Sequence, residues 1–195
     1  MKVIGITGGI GSGKTFVCKI LEKMGYSVYY SDARAKHLMN SDLRIQTELK
    51  LIIGDEAYTA EGLNRELISS KLFSDPELRQ KINQLIHPIV REDFEHWKES
   101  FQDEKFIFNE AAILFETGAY VNYNSVILVH APLEIKLDRI QKRDGVSEEE
   151  VLKKMKAQWT DEEKMKHTPY HILNDGKHPI EDRISMLLKQ LSRPI

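Results

Sequence analysis

The sequence predicts an α/β fold in three layers, with a parallel sheet of five strands between layers of helices. Short apolar runs rich in β-branched residues alternate with amphipathic helical segments, a pattern typical of βαβ units. The first apolar run also leads directly into a glycine-rich loop and then into a helix, as parallel-sheet proteins often do. At 195 residues, the chain is long enough for one such domain with helical additions.

Bulk composition restricts the class of protein. Charged residues make up 30% and hydrophobic residues 41%, with a net charge of −2, so we expect a folded chain without the basic excess of nucleic-acid-binding proteins. We see neither a stretch of membrane-spanning length nor a signal peptide, so we expect no membrane partner and a cytoplasmic location. The single cysteine, Cys18, excludes an internal disulfide. We expect a monomer or a weak homo-oligomer.

The first strand is predicted over residues 2–7, and residues 8–15 (GGIGSGKT) match the phosphate-binding loop pattern of Gly, four residues and Gly-Lys-Thr. Glycines allow successive N–H groups to point at phosphate oxygens, and the helix that starts near Lys14 adds its positive end. Lys14 is expected to reach the β- and γ-phosphates, and Thr15 to offer its hydroxyl to Mg²⁺. A chance glycine-rich turn is the alternative, which the flanking strand and amphipathic helix disfavour. The predicted ATP-binding residues here are Gly8, Gly9, Gly11, Ser12, Gly13, Lys14, Thr15 and Phe16.

The second strand is predicted over residues 26–30, and Asp32 follows it. Ligands bind at the carboxyl ends of parallel strands, so Asp32 is a candidate catalytic and substrate-binding residue. The alternative is that Asp32 caps the next helix, and the two roles can coexist.

A long helical stretch then precedes the third strand. Residues 74–77 (SDPE) form a helix-start signature, and an apolar stripe at helical spacing continues across Pro88, where we expect a kink. The stretch is too long to be a crossover alone. It therefore predicts a helical insert, about residues 33–101, that closes on a second substrate.

The third strand is predicted over residues 105–108, with Glu110 near its carboxyl end. Glu110 is predicted either to handle a metal or orient a substrate, or to be an ordinary salt-bridged or solvated acid. Residues 125–129 form a buried fourth strand. The fifth strand, residues 171–173, ends at a turn where Asn174 and Gly176 could contact the nucleotide base.

The helix after the fourth strand carries Arg139 and Arg143 on one face, because they are four residues apart. With the polar helical stretch that follows, they predict a lid over about residues 139–166. Its arginines would neutralise charge on a transferring phosphoryl group. The alternative is that these residues only solubilise exposed helices.

Three classes of phosphate-loop protein compete. A GTPase would show a guanine-reading motif after a buried strand, and the turns after Val129 and Leu173 lack one. A motor or transporter ATPase would show four apolar residues ending in Asp, with more chain around them. A kinase of small molecules needs a core sheet, a helical insert, a lid with arginines and an acid near the acceptor, and we therefore predict such an enzyme.

The sequence also resembles the dephospho-CoA kinase family. The matching residues are 7–15 (TGGIGSGKT), Val28 with Asp32, 85–88 (LIHP), 113–116 (ILFE), Arg139 with Arg143-Asp144, Gln158, and Asn174 with Gly176. The resemblance implies a nucleotide-kinase-like P-loop fold with one core formed by residues 1–32, 102–138 and 167–195. It also implies transfer of the ATP γ-phosphoryl group, with Mg²⁺, to the ribose 3′-hydroxyl of dephospho-CoA to give coenzyme A.

The resemblance also implies roles for particular residues. Lys14, Arg139 and Arg143 would act in catalysis together with Asp32, which would be the base or orienter of the acceptor hydroxyl. Asn174 and Gly176 would line the adenine pocket, and Arg65, His87 and Glu110 would lie on the acceptor side. The sequence departs from the family pattern at Tyr30, where an acid is often found, at Ala112 in place of Pro, and at 168–169 in place of Ala-Asp. A nucleoside or nucleotide kinase of the same fold and a regulatory NTPase that is not a kinase are the alternatives.

Overall fold

The computed structural model describes residues 1–193 apart from the side chain of Phe73, so the last two residues of the predicted core segment 167–195 lie outside the described residues. The strands are β1 (Lys2–Thr7), β2 (Ser27–Tyr30), β3 (Tyr58–Thr59), β4 (Gly62–Leu63), β5 (Phe106–Glu110), β6 (Ser125–His130) and β7 (Tyr170–Leu173). The α-helices are α1 (Lys14–Lys23), α2 (Ser31–Ser41), α3 (Leu43–Ile53), α4 (Arg65–Ser74), α5 (Pro76–Glu99), α6 (Leu133–Asp144), α7 (Glu148–Met155), α8 (Asp161–Met165) and α9 (Ile180–Leu191). Short 3₁₀ helices cover Asp55–Ala57 and Ala119–Asn122.

The chain forms two compact units, one made of Met1–Tyr30 with the chain from Phe101 onward, the other of Ser31–Ser100. The first unit contains a five-stranded sheet in the order β2-β5-β1-β6-β7, and every neighbouring pair is parallel. The predicted α/β fold with a five-stranded parallel sheet is therefore confirmed. In the register, both Ile6 and Tyr30 pair with Glu110, which brings these strand ends to one edge of the sheet.

The two faces of this sheet are covered differently. Ile4 and Ile6 of β1 belong to a buried cluster with residues of α1 and α9, such as Leu21 and Leu188. The residue between them, Gly5, faces the other way, where an added Cβ would lie only 2.8 Å from Leu114. The irregular segment 111–124 and α8 cover this second face, so the sheet is the middle of three layers. No α-helix forms within 111–124, although parallel connections usually contain one.

The second unit is helical, with a small hairpin that the sequence did not indicate. Its core contains Leu38, Ile45, Leu49, Ile53, Ala57, Ile68, Ile82, Ile86 and Ile89. The helix start predicted at residues 74–77 is confirmed, since Asp75 caps α5 and accepts from Leu78 N at 2.9 Å. Asp42 caps α3 in the same way and accepts from Arg44 N at 2.8 Å. In the antiparallel pair β3–β4, Tyr58 pairs with Leu63 and Thr59 with Gly62, which adopts a φ of 118° directly after the turn.

Two details concern residues predicted from the sequence. Helix α2 begins at Ser31, so Asp32 lies inside its first turn and not at the capping position ahead of it. An acid there is favourable for the helix because it faces the positive end of the dipole. Helix α5 runs through Pro88 without a break, and the kink expected there stays a prediction. Among residues 1–193, no helix is both long and apolar enough to cross a membrane.

Candidate active site

The phosphate loop connects β1 to α1 and needs glycine at two places for different reasons. Gly13 has a φ of 90°, and an added Cβ would lie 2.1 Å from Asn174 Nδ2. At Gly8 a Cβ would lie 2.0 Å from the carbonyl oxygen of Val129, so the end of β1 could not approach β6. The loop backbone is therefore shaped both by its own dihedral angles and by β6 and the turn after β7.

Lys14 and Thr15 begin helix α1 and have different neighbours. The ammonium Nζ of Lys14 lies 2.9 Å from the carbonyl oxygen of Gly8, so its side chain folds back along the loop. The exposed Thr15 donates its hydroxyl to Glu110 Oε1 at 3.3 Å. Glu110 is the last residue of β5 and is 8% exposed. The structure thus brings two of the predicted site residues, Thr15 and Glu110, together.

This pair fits a magnesium ion. Mg²⁺ prefers oxygen ligands and usually takes one or two from the protein, the rest coming from phosphates and water. The Thr15 hydroxyl and the Glu110 carboxylate supply such oxygens beside the loop. The described part of the chain holds no cluster of three or more His, Cys, Asp or Glu side chains that would form a complete protein cage. Thr15 and Glu110 are accordingly the residues that would hold the ion.

Arg139 and Asn174 contact the outside of the loop. Arg139 Nη1 donates to the carbonyl oxygens of Gly11 at 3.4 Å and Ser12 at 3.3 Å, while Nη2 donates to Asn174 Oδ1 at 3.1 Å. Asn174 is buried, and its Nδ2 donates to Ser12 O at 2.9 Å. Both ends of its carboxamide are engaged with the loop and Arg139. A contact of this side chain with the nucleotide base stays a prediction.

Arg143 lies elsewhere. Its guanidinium pairs with Asp144 at 2.6 Å, and this hydrogen bond raises the pKa of the arginine. Its side chain is 63% exposed. The structure brings Arg139 to the loop and leaves Arg143 at the exposed end of α6.

The turn after β7 is ordered by Asp175. Its Oδ1 accepts from Lys177 N at 3.0 Å and from His178 N at 3.3 Å. Gly176, the residue directly after Asp175, has a φ of 73°. These backbone hydrogen bonds, with the nearby His178 ring, lower the pKa of Asp175 to about 2. The predicted adenine-side turn is thus a fixed structure next to Asn174. Phe16, the remaining predicted ATP residue, is 56% exposed on α1.

The segment before and within α8 contains contacts that sequence reasoning missed. Gln158 Oε1 accepts from the loop amide of Ile10 at 3.0 Å, and Lys136 pairs with Asp161 at 2.7 Å. Lys164, expected on a polar lid helix, is fully buried and pairs with Glu116 at 2.9 Å. In the sequence, only the resemblance to a known family pointed to Gln158. A lysine in a charged helix gives no signal that it is buried.

At the positions where the sequence departs from the family pattern, the structure shows what each side chain or carbonyl contacts. Burial, followed by the nearby Cys18, raises the pKa of the Tyr30 hydroxyl, so a neutral phenol stands where an acid was expected. Thr168 donates its hydroxyl to Val126 O at 2.5 Å and so ties the start of β7 to β6. Ala112 accepts at its carbonyl from the Thr7 hydroxyl at 3.2 Å.

The remaining predicted acceptor residues lie in the helical unit. Desolvation by neighbouring protein atoms lowers the pKa of His87, although part of its ring is exposed, and Arg91 lowers it further. Asp32 acts in the opposite direction, so its exposed carboxylate lies within electrostatic range of the His87 ring. Arg65 is exposed at the first position of α4, after the cap Asn64.

The class of this protein is that of the P-loop kinases, which three features define together. The sheet is parallel with a glycine-rich loop after β1, a lysine folds along that loop, and a Thr–Glu pair lies beside it. Comparison with known proteins then narrows the class. A family model described as dephospho-CoA kinase matches residues 2–179. A dephospho-CoA kinase from Bacteroides fragilis is 37% identical over 192 residues, which cover 98% of this chain and 94% of the relative. The chain belongs to the dephospho-CoA kinase family.

Solved structures agree with this fold. A crystal structure from Thermus thermophilus has a TM-score of 0.88 and 33% identity, covering 99% of this chain and 98% of the other. A dephospho-CoA kinase from Campylobacter jejuni has a TM-score of 0.70 at 22% identity, covering 97% and 96% of the two chains. At 22% identity, the Campylobacter jejuni structure supports the fold of this chain and nothing further.

Proposed function

We propose that this kinase transfers the γ-phosphoryl group of ATP to the ribose 3′-hydroxyl of dephospho-CoA, which gives coenzyme A and ADP. The observation that carries the proposal is the assembled phosphate loop, with Lys14 folded along it, in a chain of the dephospho-CoA kinase family. We infer the identity of the acceptor from the name of the family and from the names of relatives such as the one from Bacteroides fragilis. Family membership does not favour the two alternatives, a nucleoside or nucleotide kinase and a regulatory NTPase.

The donor side uses the first unit of the chain. Loop N–H groups, the start of α1 and Lys14 bind the phosphates, and Arg139 with Asn174 holds the loop in shape from outside. Mg²⁺, when held by Thr15 and Glu110, would neutralise charge on the β- and γ-phosphates. The geometry around Thr15 supports this role because its hydroxyl and the Glu110 carboxylate lie 3.3 Å apart.

The acceptor side uses residues of the helical unit. The 3′-oxygen would attack the γ-phosphorus while the bond to the bridging oxygen of ADP breaks, and Asp32 would orient the hydroxyl and take its proton. Burial and Arg91 lower the pKa of His87 and Asp32 opposes them by a smaller effect, so Asp32 and His87 lie near enough to each other to serve the same acceptor. Arg65 would bind an anionic group of the acceptor. Closure of a lid over residues 139–166, a cytoplasmic location, and a monomeric or weakly associated state are further parts of the proposal.

One assay tests the acceptor. ADP release is measured with dephospho-CoA, a set of nucleosides and a set of nucleoside monophosphates offered in parallel at equal concentration. We expect release with dephospho-CoA and a product that carries the new phosphate on the 3′-oxygen. A preference for a nucleoside or a nucleotide would contradict the proposal, and release without any acceptor would identify an ATPase.

A further inference from the structure

Three polar side chains meet above the second residue of the phosphate loop. If Gly9 carried a Cβ, the atoms nearest to it would be Asp161 Oδ1 at 3.3 Å, Gln158 Oε1 at 3.9 Å and Lys136 Nζ at 3.9 Å. Gln158 also accepts the N–H of Ile10, the next loop residue, at 3.0 Å. Side chains of α6 and of the segment that leads into α8 therefore cover Gly9 and Ile10 closely.

Lys136 is the cation of this group and is mostly buried. Its side chain is 13% exposed, and its Nζ lies 2.7 Å from Asp161 Oδ2, whose side chain is 9% exposed. An ammonium has three donors, and Asp161 is the one hydrogen-bond acceptor that residues 1–193 offer to it in this structure. Burying an ion pair costs about as much desolvation as the pairing returns, so stability is a poor reason for the pair.

The covered part of the loop is the part that a γ-phosphate would approach. Lys14 serves the β- and γ-phosphates in P-loop kinases, and its Nζ lies 2.9 Å from the carbonyl oxygen of Gly8. The γ end of bound ATP would thus lie beside residues 8–10. Arg139 contacts the other half of the loop, at Gly11 and Ser12.

We propose that Lys136 is a further catalytic residue, whose ammonium contacts the γ-phosphoryl oxygens of ATP while Asp161 positions it. The proposal rests on the proposed phosphoryl transfer from ATP at this loop. As the γ-phosphoryl group moves to the acceptor oxygen and the bond to ADP breaks, charge spreads over its three equatorial oxygens. A cation fixed by Asp161 in a site of little water stabilises that charge without reorganising. Arg143, which is exposed and paired with Asp144, offers no such fixed cation in this structure.

The first test is Lys136→Met, which keeps all but the last heavy atom of the unbranched side chain and removes its charge. We expect kcat to fall about 10²-fold, the loss that follows removal of one preorganised donor to a transition state. We also expect weaker binding of the non-hydrolysable analogue AMP-PNP by about tenfold or more, with ADP binding unchanged, because ADP lacks the γ-phosphate. The matched control is Lys142→Met on the same helix, which breaks an exposed ion pair with Asp138 of 2.7 Å and should change neither quantity.

A double variant separates catalysis from folding. Lys136→Met alone leaves Asp161 buried without its partner, so the single variant can lose activity through lost stability. Lys136→Met combined with Asp161→Asn removes the buried charge as well, and we expect it to recover the melting temperature but not kcat. Recovery of kcat in the double variant would overturn the proposal, as would equal losses of AMP-PNP and ADP affinity in Lys136→Met.

These measurements also distinguish the two proposals. The comparison of AMP-PNP with ADP needs no acceptor, so it tests Lys136 even if dephospho-CoA is not the substrate. The wild-type chain could fail to phosphorylate dephospho-CoA while Lys136→Met still weakens the binding of AMP-PNP and not that of ADP. That result would refute the proposed acceptor and leave the role of Lys136 standing.

Discussion

Replacement of Asn174 by alanine tests whether this side chain holds the phosphate loop. Asn174 is 3% exposed, and its carboxamide donates to Ser12 O at 2.9 Å and accepts from Arg139 Nη2 at 3.1 Å. Alanine removes both hydrogen bonds. It leaves the Ser12 carbonyl with one fewer donor, and Arg139 with its two longer contacts to the loop.

The magnitude follows from the two hydrogen bonds. The neutral bond to Ser12 is worth about 1 kcal/mol, and the bond from the charged Arg139 about 1.5 kcal/mol, the low end of its range because that side chain is partly exposed. Their sum of about 2.5 kcal/mol corresponds to a melting temperature lower by about 5–10 °C in a chain of this size. We also expect weaker ADP binding, since the loop loses its outer support.

Thermal melting followed by circular dichroism and ADP titration by calorimetry would check this. Lys177→Ala, an exposed change in the same turn, is the control and should alter neither quantity. An unchanged melting temperature together with a changed preference between ATP and GTP would refute the reasoning. That result would show that Asn174 reads the base and does not hold the loop.

The remaining predictions concern the reaction, the metal and stability. Asp32→Asn should lower turnover by about 10²–10⁴-fold with ATP affinity unchanged, and lost affinity with intact turnover would contradict its role. Glu110→Gln should raise the Mg²⁺ concentration needed for half-maximal activity by about 10–100-fold, and an unchanged Mg²⁺ titration would exclude this carboxylate from the metal site. Lys164→Met should lower the free energy of unfolding by about 3–5 kcal/mol in urea titrations, because the mostly buried Glu116 loses its cation and keeps, within residues 1–193, only the N–H of Trp159. Adding Glu116→Gln should restore part of that loss, and a further loss would argue against the ion pair as the cause.

The parts of the fold that could be predicted are those fixed by local chemistry. The apolar run of β1 and the glycines after it specify a strand and a loop over residues 2–15, because each depends on neighbouring residues only. Capping residues such as Asp42 and Asp75 likewise mark helix starts within four residues of chain. The strand order β2-β5-β1-β6-β7 brings distant segments together, and no local pattern specifies it.

In the site, too, local patterns could be predicted from the sequence, whereas contacts between distant segments could not. Periodicity placed Arg139 and Arg143 on one face of a helix but could not say how far that helix reaches along the loop. In the structure Arg139 contacts the loop at Gly11 and Ser12, whereas Arg143, one turn further along α6, pairs with Asp144. Burial of Lys164 was equally hidden, because its partner Glu116 is distant in sequence and belongs to an irregular segment.

Helix α6 links the two halves of the phosphate loop. Lys136 covers the Gly9 half, Arg139 binds the Gly11 half, and Ile140 packs so closely that a Cβ on Gly11 would lie 2.9 Å from its Cδ1. Arg139 and Ile140 follow Lys136 by three and four residues, so each lies on the same side of the helix as Lys136. A shift of α6 along its axis would therefore move the cation at the γ end and the support of the loop at the same time. Since Asp161 at the start of α8 holds Lys136, any opening of the segment 139–166 must break this ion pair or carry α6 along with it.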